Sequence, residues 1–327
     1  MKKKTIAAFI AVILTACSLF ACVSNSNSIS YDNGKLRIVT TIFPEYDWVM
    51  QILGDNPAEI EVTLLLENGV DLHSFQPAAK DILEISTCDL FIYVGGESDR
   101  WVEDAIKEAV NQDLLTISLL ETLGSAAKEE EIVEGMQEEE EDANERSDAE
   151  YDEHVWLSIR NASRLVSKIA DAIQTIDAEH AELYRDNAKD YIQRLDALDQ
   201  KYSSMIREAH HKTLLFGDRF PFRYLTDDYG LTYYAAFSGC SAETEASFET
   251  IAFLAQKADE LSLPAILTID GTDRRIAETI AGNTQQKSLN ILTLDSMQSV
   301  TAKEIEDGIT YLSIMEKNLY VLKEALQ

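Results

Sequence analysis

The sequence predicts an α/β protein built as two βα lobes with mainly parallel sheets, joined by one long spine helix, with a cleft between the lobes. Three observations predict it. Apolar, β-branched runs recur along the chain, each followed by a stretch with helical spacing, and a strand buried on both faces of a parallel sheet reads as such a run. Between residues 178 and 210 the alternation stops, and Leu183, Ala188, Tyr191, Leu195, Leu198, Tyr202 and Ile206 mark one face of a single helix. Beyond it the strand and helix signals resume to the C-terminus.

The first lobe is expected over residues 36–176. LRIVTTIF (36–43) is its first strand, and Tyr46 to Leu53 carries apolar residues at helical spacing up to Gly54. IEVTLLL (60–66) is the second strand, Pro77 to Ile85 a helix, and DLFIYVG (89–95) a third strand ending at Gly95-Gly96; Trp101 to Val110 is a helix leading to the strand LLTISL. The segment 128–153 breaks the pattern. It is crowded with glutamate and aspartate, holds Arg146 as its only basic residue after Lys128, and has few apolar positions, which predicts a disordered excursion. An amphipathic helix over Val155 to Ile176 follows, and then the linker helix, 177–211.

The second lobe is expected over 212–327. KTLLFGD (212–218) opens it, followed by a helix through Phe222 to Tyr229, the strand LTYYAAF, a helix over Phe248 to Leu261, the strand AILTID, a helix over Arg274 to Ala281, the strand NILTLD and a last helix from Ala302.

The first residues are not expected in the fold. Lys2, Lys3 and Lys4 precede an apolar run and then small residues, the layout of a secretory signal peptide over 1–22. Leu19-Phe20-Ala21-Cys22 resembles a bacterial lipobox, as does Leu14-Thr15-Ala16-Cys17, so Cys22, or alternatively Cys17, is expected to carry a lipid. The polar tract within 23–35 reads as a flexible tether. An extracytoplasmic protein anchored by lipid to a bacterial membrane follows, and no later apolar run is long enough to span one.

Charge narrows the partners. A formal net charge of -30 over 327 residues argues against nucleic acid and anionic membrane surfaces, and favours cations. Four cysteines include two in the leader; Cys88 and Cys240 are too far apart for a zinc-ribbon spacing. Cys88 reads as core, whereas Cys240 sits in the polar run FSGCSAETE.

Only five histidines occur, and two stand where an open α/β sheet binds ligands, just beyond strand ends. His73 lies in GVDLHSFQP after the second strand, and His154 in YDEHVWLSI at a helix start. Brought together by folding, two imidazoles would form half of a metal site. His180, His210 and His211 fall on polar faces and read as surface residues.

The runs IVTTIFPEYDWVMQILGD, GVDLHSFQPAAKDILEISTCDLFIYVGG with Trp101 downstream, and EHVWLSIRNA resemble the metal-binding solute-binding lipoproteins of zinc and manganese ABC transporters, the cluster A-I family, and the resemblance extends from about Leu36 to the C-terminus. It implies a fold of two βα lobes on one long helix, and His73 and His154 as metal ligands. It further implies a fourth ligand at Asp295 and a second-shell or structural role for Asp270. The family places a histidine or glutamate after the first strand of the second lobe, and here Gly217 stands there. Asp218, Glu243 and Glu245 are the replacements, with Cys240 a softer one exposed to oxidation.

The resemblance implies a monomeric receptor that captures a divalent metal, zinc ahead of manganese or iron, and delivers it to a membrane permease and its ATPase, with no chemistry performed. Two imidazoles with carboxylates suit zinc but tolerate harder ions. Two other classes compete: an extracellular metallohydrolase, for which neither HExxH nor a two-metal carboxylate cluster is present, and a cell-adhesion protein with a structural metal.

Overall fold

A computed structural model of the chain describes residues 35–55, 60–67, 69–137, 150–241, 245–287 and 289–327. The expected leader, both lipidation candidates, Cys22 and Cys17, and the start of the tether lie outside the described residues, as does Glu243.

Strand β1 (Leu36–Thr40) sits at the centre of the first sheet, paired in parallel with β2 (Ile60–Leu64) and β3 (Leu90–Tyr93), and β3 carries β4 (Leu115–Ser118) on its far side, giving the order β2-β1-β3-β4. Helix α1 (Phe43–Leu53) follows β1 directly. Pro44 suits its first turn, and the Glu45 side chain accepts from Ile42 N at 3.3 Å, the cap amide that the helix itself leaves unpaired, and from Thr41 N at 2.8 Å. Gly54, at φ 61°, ends it. Helices α2 (Ala79–Thr87) and α3 (Val102–Lys107) fill the remaining crossovers, and α4 (Leu119–Leu123) leaves the sheet after β4.

The amphipathic segment after the acidic run is not one helix from Val155. A single 3-10 turn, Val155–Leu157, comes first, and α5 (Ile159–Ile176) starts afresh at Ser158, whose hydroxyl accepts from Asn161 N at 3.0 Å. The spine is α6 (Ala181–Glu208). Its 28 residues span about 42 Å, and its buried face, Tyr184, Ala188, Tyr191, Leu195, Leu198, Tyr202 and Ile206, is the stripe expected from periodicity except at its start, where Tyr184 is buried and Leu183 faces solvent.

The second sheet repeats the first. Strands β5 (Thr213–Phe220), β6 (Thr232–Ser238), β7 (Ala265–Ile269) and β8 (Asn290–Leu294) are parallel in the order β6-β5-β7-β8, with α7 (Arg223–Tyr229), α8 (Phe248–Glu260) and α9 (Arg275–Asn283) between them. The last expected helix is two, α10 (Ala302–Glu306) and α11 (Tyr311–Ala325), because Gly308 at φ 88° turns the chain between them.

Helix α11 returns to the first lobe. Tyr311 N donates to Asp47 of α1 at 3.1 Å, the Tyr311 hydroxyl to Trp156 O at 2.7 Å, and its ring meets Trp48 edge-on at 5.3 Å. Asp47 also accepts from Tyr191 of the spine, and Trp156 Nε1 donates to Ser296 O at 2.9 Å. One hydrophobic core therefore runs through both lobes and the spine, which opposes wide opening of the cleft.

The disordered excursion expected over 128–153 is corrected for its described ends. Glu129 bridges Tyr151 in antiparallel register, Glu130 N donates to Glu150 O, and Asp152 N donates to Lys128 O. The outgoing strand then docks on the second lobe: Gln137 N donates to Ala236 O at 3.0 Å, Met136 is buried, and Arg223 pairs with Glu131. Charge composition hid this because the anchors are backbone groups and a few apolar residues; 138–149 lie outside the described residues.

Candidate metal centre

His73 rides on a short 3-10 turn, Leu72–Ser74, set by its neighbours. Asp71 caps the turn, its carboxylate accepting from His73 N at 3.0 Å, and Leu72 anchors it in the core. His154 precedes the second 3-10 turn, whose Val155, Trp156 and Leu157 are all buried. Asp152 Oδ1 accepts both from His154 N, at 2.9 Å, and from its Nδ1, at 3.0 Å. That second bond fixes the ring and leaves the lone pair on Nε2.

The two rings meet through their far nitrogens. His73 Nε2 lies 3.1 Å from His154 Nε2, close to the roughly 3.3 Å that separates two imidazole nitrogens around a tetrahedral zinc ion with bonds of about 2.0–2.1 Å. His73 Nδ1 is backed by Ser98 Oγ at 2.9 Å and by the buried Glu153 carboxylate at 3.4 Å. Each candidate ligand thus has a carboxylate behind it, the pattern that raises an imidazole's basicity toward a metal. Burial pulls the His154 imidazole down, but Asp152 first and then Glu153 and Glu130 outweigh it and hold it above its usual value. Glu153 stays below the usual carboxylate range although burial opposes this, because His73 and Ser98 stabilise its charge.

The second lobe contributes a sulfur. Among the described residues, one ligand atom each from His73, His154 and Cys240 lie within 4.8 Å of one another. Cys240 sits in the loop after β6, where its N–H donates to Glu130 Oε1 at 3.0 Å. Burial, then Glu130, Asp152 and Glu153, keep the Cys240 thiol well above the ordinary thiol range.

Of the other expected ligands among the described residues, Asp218, Asp295 and Glu245, none joins this cluster. Asp218 is consumed locally, accepting from Arg219 N, Ile269 N and the Thr272 hydroxyl. Asp295 caps its own turn through Met297 N, and its electrostatic neighbours are Asp270, Lys317 and Glu304; burial and then Asp270 push it up to about 6. Glu245 is exposed on the loop leading to α8. Asp270 ties down the loop after β8 through the amides and hydroxyls of Ser296 and Ser299, the structural role expected of it.

Gly217 is not a ligand position. A Cβ there would lie 2.6 Å from Ala277 Cα, so the glycine is where β5 and α9 pack backbone to backbone. The residue that reaches the cleft is Arg219, two places on. Its guanidinium crosses between lobes to Asp71 at 2.7 Å and also donates to Ser241 O. Arg219 holds Asp71 below the usual range against the opposing effect of burial. Sequence reasoning missed both Arg219 and the ordering of Glu130. A cavity of about 560 Å³, lined by His73, Asp71, Asp218, Arg219 and Ser241 among others, opens beside the cluster.

Residues 38–325 match the family model described as zinc-uptake complex component A, periplasmic (ZnuA). The chain is 30% identical over 316 residues to the zinc-binding lipoprotein AdcA of Streptococcus pneumoniae serotype 4 (strain ATCC BAA-334 / TIGR4), covering 96% of this chain and 60% of that one, so it spans about three fifths of that relative's length. It is 31% identical over 321 residues to the high-affinity zinc uptake system protein ZnuA of Bacillus subtilis (strain 168), covering 96% of each. The crystal structure of the Zn(II)-bound ZnuA-like domain of Streptococcus pneumoniae AdcA superposes with a TM-score of 0.69 at 28% identity, covering 90% of this chain and 99% of that one.

Proposed function

This chain belongs to the family of zinc-uptake complex components A, and from that membership we propose that it captures zinc outside the cytoplasm and delivers it to an ABC permease driven by an ATPase. The observation that carries the reading is the His73–His154 pair. Two Nε2 atoms facing each other at 3.1 Å, each imidazole backed by a buried carboxylate, form an arrangement that suits a shared cation.

The protein acts as a carrier, not an enzyme. A site with room beside it suits an ion that must be both taken and released, and the Arg219–Asp71 pair closes one side of that space. Among the described residues no helix is long and apolar enough to cross a membrane. Attachment is assigned to a lipid on Cys22, or alternatively Cys17, which keeps a monomeric receptor close to its permease.

Competition titration of the metal-free protein with zinc and manganese, together with elemental analysis of protein from its native membrane, tests the reading. One zinc per chain, displaced by manganese only in large excess, is the expected result. Failure to bind either ion, or turnover of an ester, peptide or phosphate substrate by the zinc-loaded protein, would overturn it.

A further inference from the structure

We propose that Cys240 is the second lobe's ligand, so that the cargo ion is held by two imidazoles and one thiolate, and that this sulfur sets the preference for zinc over manganese. The inference rests on the zinc-capture reading above.

Among the described residues, the thiol is the second-lobe ligand atom that geometry places there. Its sulfur lies with the two histidine nitrogens inside 4.8 Å, against roughly 3.6 Å between sulfur and nitrogen in a tetrahedral zinc site with Zn–S of about 2.3 Å. The remaining gap is at most about an ångström. The loop that carries Cys240 is built to come this close: a Cβ on Gly239 would lie 3.0 Å from His154 Cε1 and 3.1 Å from its Nδ1, so a side chain there would crowd the imidazole. Three contacts from different parts of the chain hold the loop. Glu130 accepts from Cys240 N, Arg219 donates to Ser241 O, and Ser241 N turns back to Ser238 O.

Two competing carboxylates among the described residues are engaged elsewhere. Asp218 already accepts three hydrogen bonds, and Asp295 faces Asp270 and Lys317. Arg219, the second-lobe side chain nearest in sequence to Asp218 that enters the cleft, is a cation and cannot ligate one.

Chemistry then decides the ion. When zinc binds, the S–H bond breaks, the Zn–S bond forms and the proton leaves to solvent. Thiolate is a soft donor matched to zinc, whereas manganese prefers carboxylate and water oxygens at higher coordination number. Two neutral imidazoles with one thiolate leave a single positive charge, which Asp152 and Glu153 behind the rings offset.

The test uses cobalt as a visible stand-in for zinc in the full-length protein. Wild type loaded with one Co(II) should show an intense near-ultraviolet sulfur-to-cobalt charge-transfer band and tetrahedral visible bands. Cys240→Ser should lose the charge-transfer band and weaken zinc by at least about a hundredfold, the upper end of what removing a mere supporting residue costs, while manganese affinity barely moves. Cys240→Asp should restore binding but shift the preference toward manganese. A wild-type cobalt spectrum without the charge-transfer band overturns the inference, and so does zinc affinity in Cys240→Ser equal to wild type. In either case zinc capture by His73 and His154 stands if His73→Ala still abolishes tight binding. Wild type that binds no zinc at all overturns both. The wild-type spectrum decides even if a variant fails to fold.

Discussion

The two lobes share a strand order and differ in how they offer a side chain to the cleft. In the first, β2-β1-β3-β4, each imidazole sits at a one-turn 3-10 helix, His73 within it and His154 just before it, and each residue's amide donates to a carboxylate two residues upstream, Asp71 and Asp152. In the second, β6-β5-β7-β8, Cys240 sits in a loop positioned by Glu130, which is 110 residues away in sequence, and by Arg219 from another strand. The first lobe thus carries its site in local motifs, and the second assembles its share through tertiary contacts. One lobe should behave as the fixed jaw of the site, the other as the adjustable one.

Removing a first-lobe imidazole should therefore have the largest effect. His154→Ala deletes a fully buried ring and removes one of the two hydrogen bonds to Asp152 Oδ1, leaving only the backbone one, so zinc affinity should fall by at least about a hundredfold, with some loss of stability as well. His73→Ala, at a more exposed ring, should cost at least about tenfold with the fold intact. His180→Ala, whose ring pairs with Asp177 away from the site, is the control. Equal zinc affinity in all three, by chelator competition, would break the assignment of the fixed jaw.

The second lobe can be probed at the position where the family resemblance placed a ligand. Adding a histidine at Gly217 would strengthen the site if a side chain were simply missing there. The contact with Ala277 Cα predicts the reverse: Gly217→His should force α9 off β5 and destabilise the metal-free protein by about 1–3 kcal/mol or more, with no gain in zinc affinity. Tighter zinc binding at unchanged melting temperature would show that the strand register around Gly217 is different.

A pH effect probes the first lobe further, because that lobe buries Glu45 Oε1 and Asp99 Oδ1 without a hydrogen-bond partner. Burial, and then Asp99, push Glu45 from 4.5 to about 8; burial, against the Gly95 amide and aided by Glu153, pushes Asp99 from 3.8 to about 7. The unfolded chain releases these protons near their ordinary values, whereas the folded chain keeps them until pH 7 to 8. Folded protein binds more protons across that window, so stability is highest on the acid side and falls as pH rises, by at most about 1.4 kcal/mol per pH unit for each group. Melting temperatures of metal-free protein at pH 5 and pH 8 should show the decline, and Glu45→Gln should flatten it. An unchanged slope in Glu45→Gln would remove Glu45 as its source.

The same contrast explains what could be read from the chain alone. Both lobes and the spine were legible because β-branched runs and a stripe over α6 survive as one-dimensional patterns, and His73 and His154 because their turns are local. The break at Ser158 was missed since a 3-10 turn and an α-helix share apolar spacing over three residues. Arg219 and the docked stretch around Met136 left no local signal: one is a cation in a run that resembles a ligand motif, the other a few apolar residues among glutamates whose anchors are Ala236 and Asp227 in another lobe. Motif position marks Asp218 and Asp295 as ligands, whereas in the structure Asp218 accepts from Arg219 N, Ile269 N and the Thr272 hydroxyl and Asp295 from Met297 N.

The smallest expected effect tests the adjustable jaw itself. Glu130 belongs to a segment whose composition promised a solvated spacer, yet its carboxylate accepts the Cys240 amide at 3.0 Å while it also raises the Cys240 thiol. Glu130→Gln keeps an acceptor oxygen and removes the charge; Glu130→Ala removes both. If Glu130 positions the loop, Glu130→Ala should weaken zinc by roughly threefold to tenfold, a supporting residue's share, whereas Glu130→Gln should bind close to wild type. If its charge mattered more than its hydrogen bond, the two variants would weaken zinc alike, and if the segment were a spacer neither would. Measured against His154→Ala, the ratio of the two losses states how much of the site's grip comes from the lobe that carries its ligands on local turns and how much from the one that must be held in place.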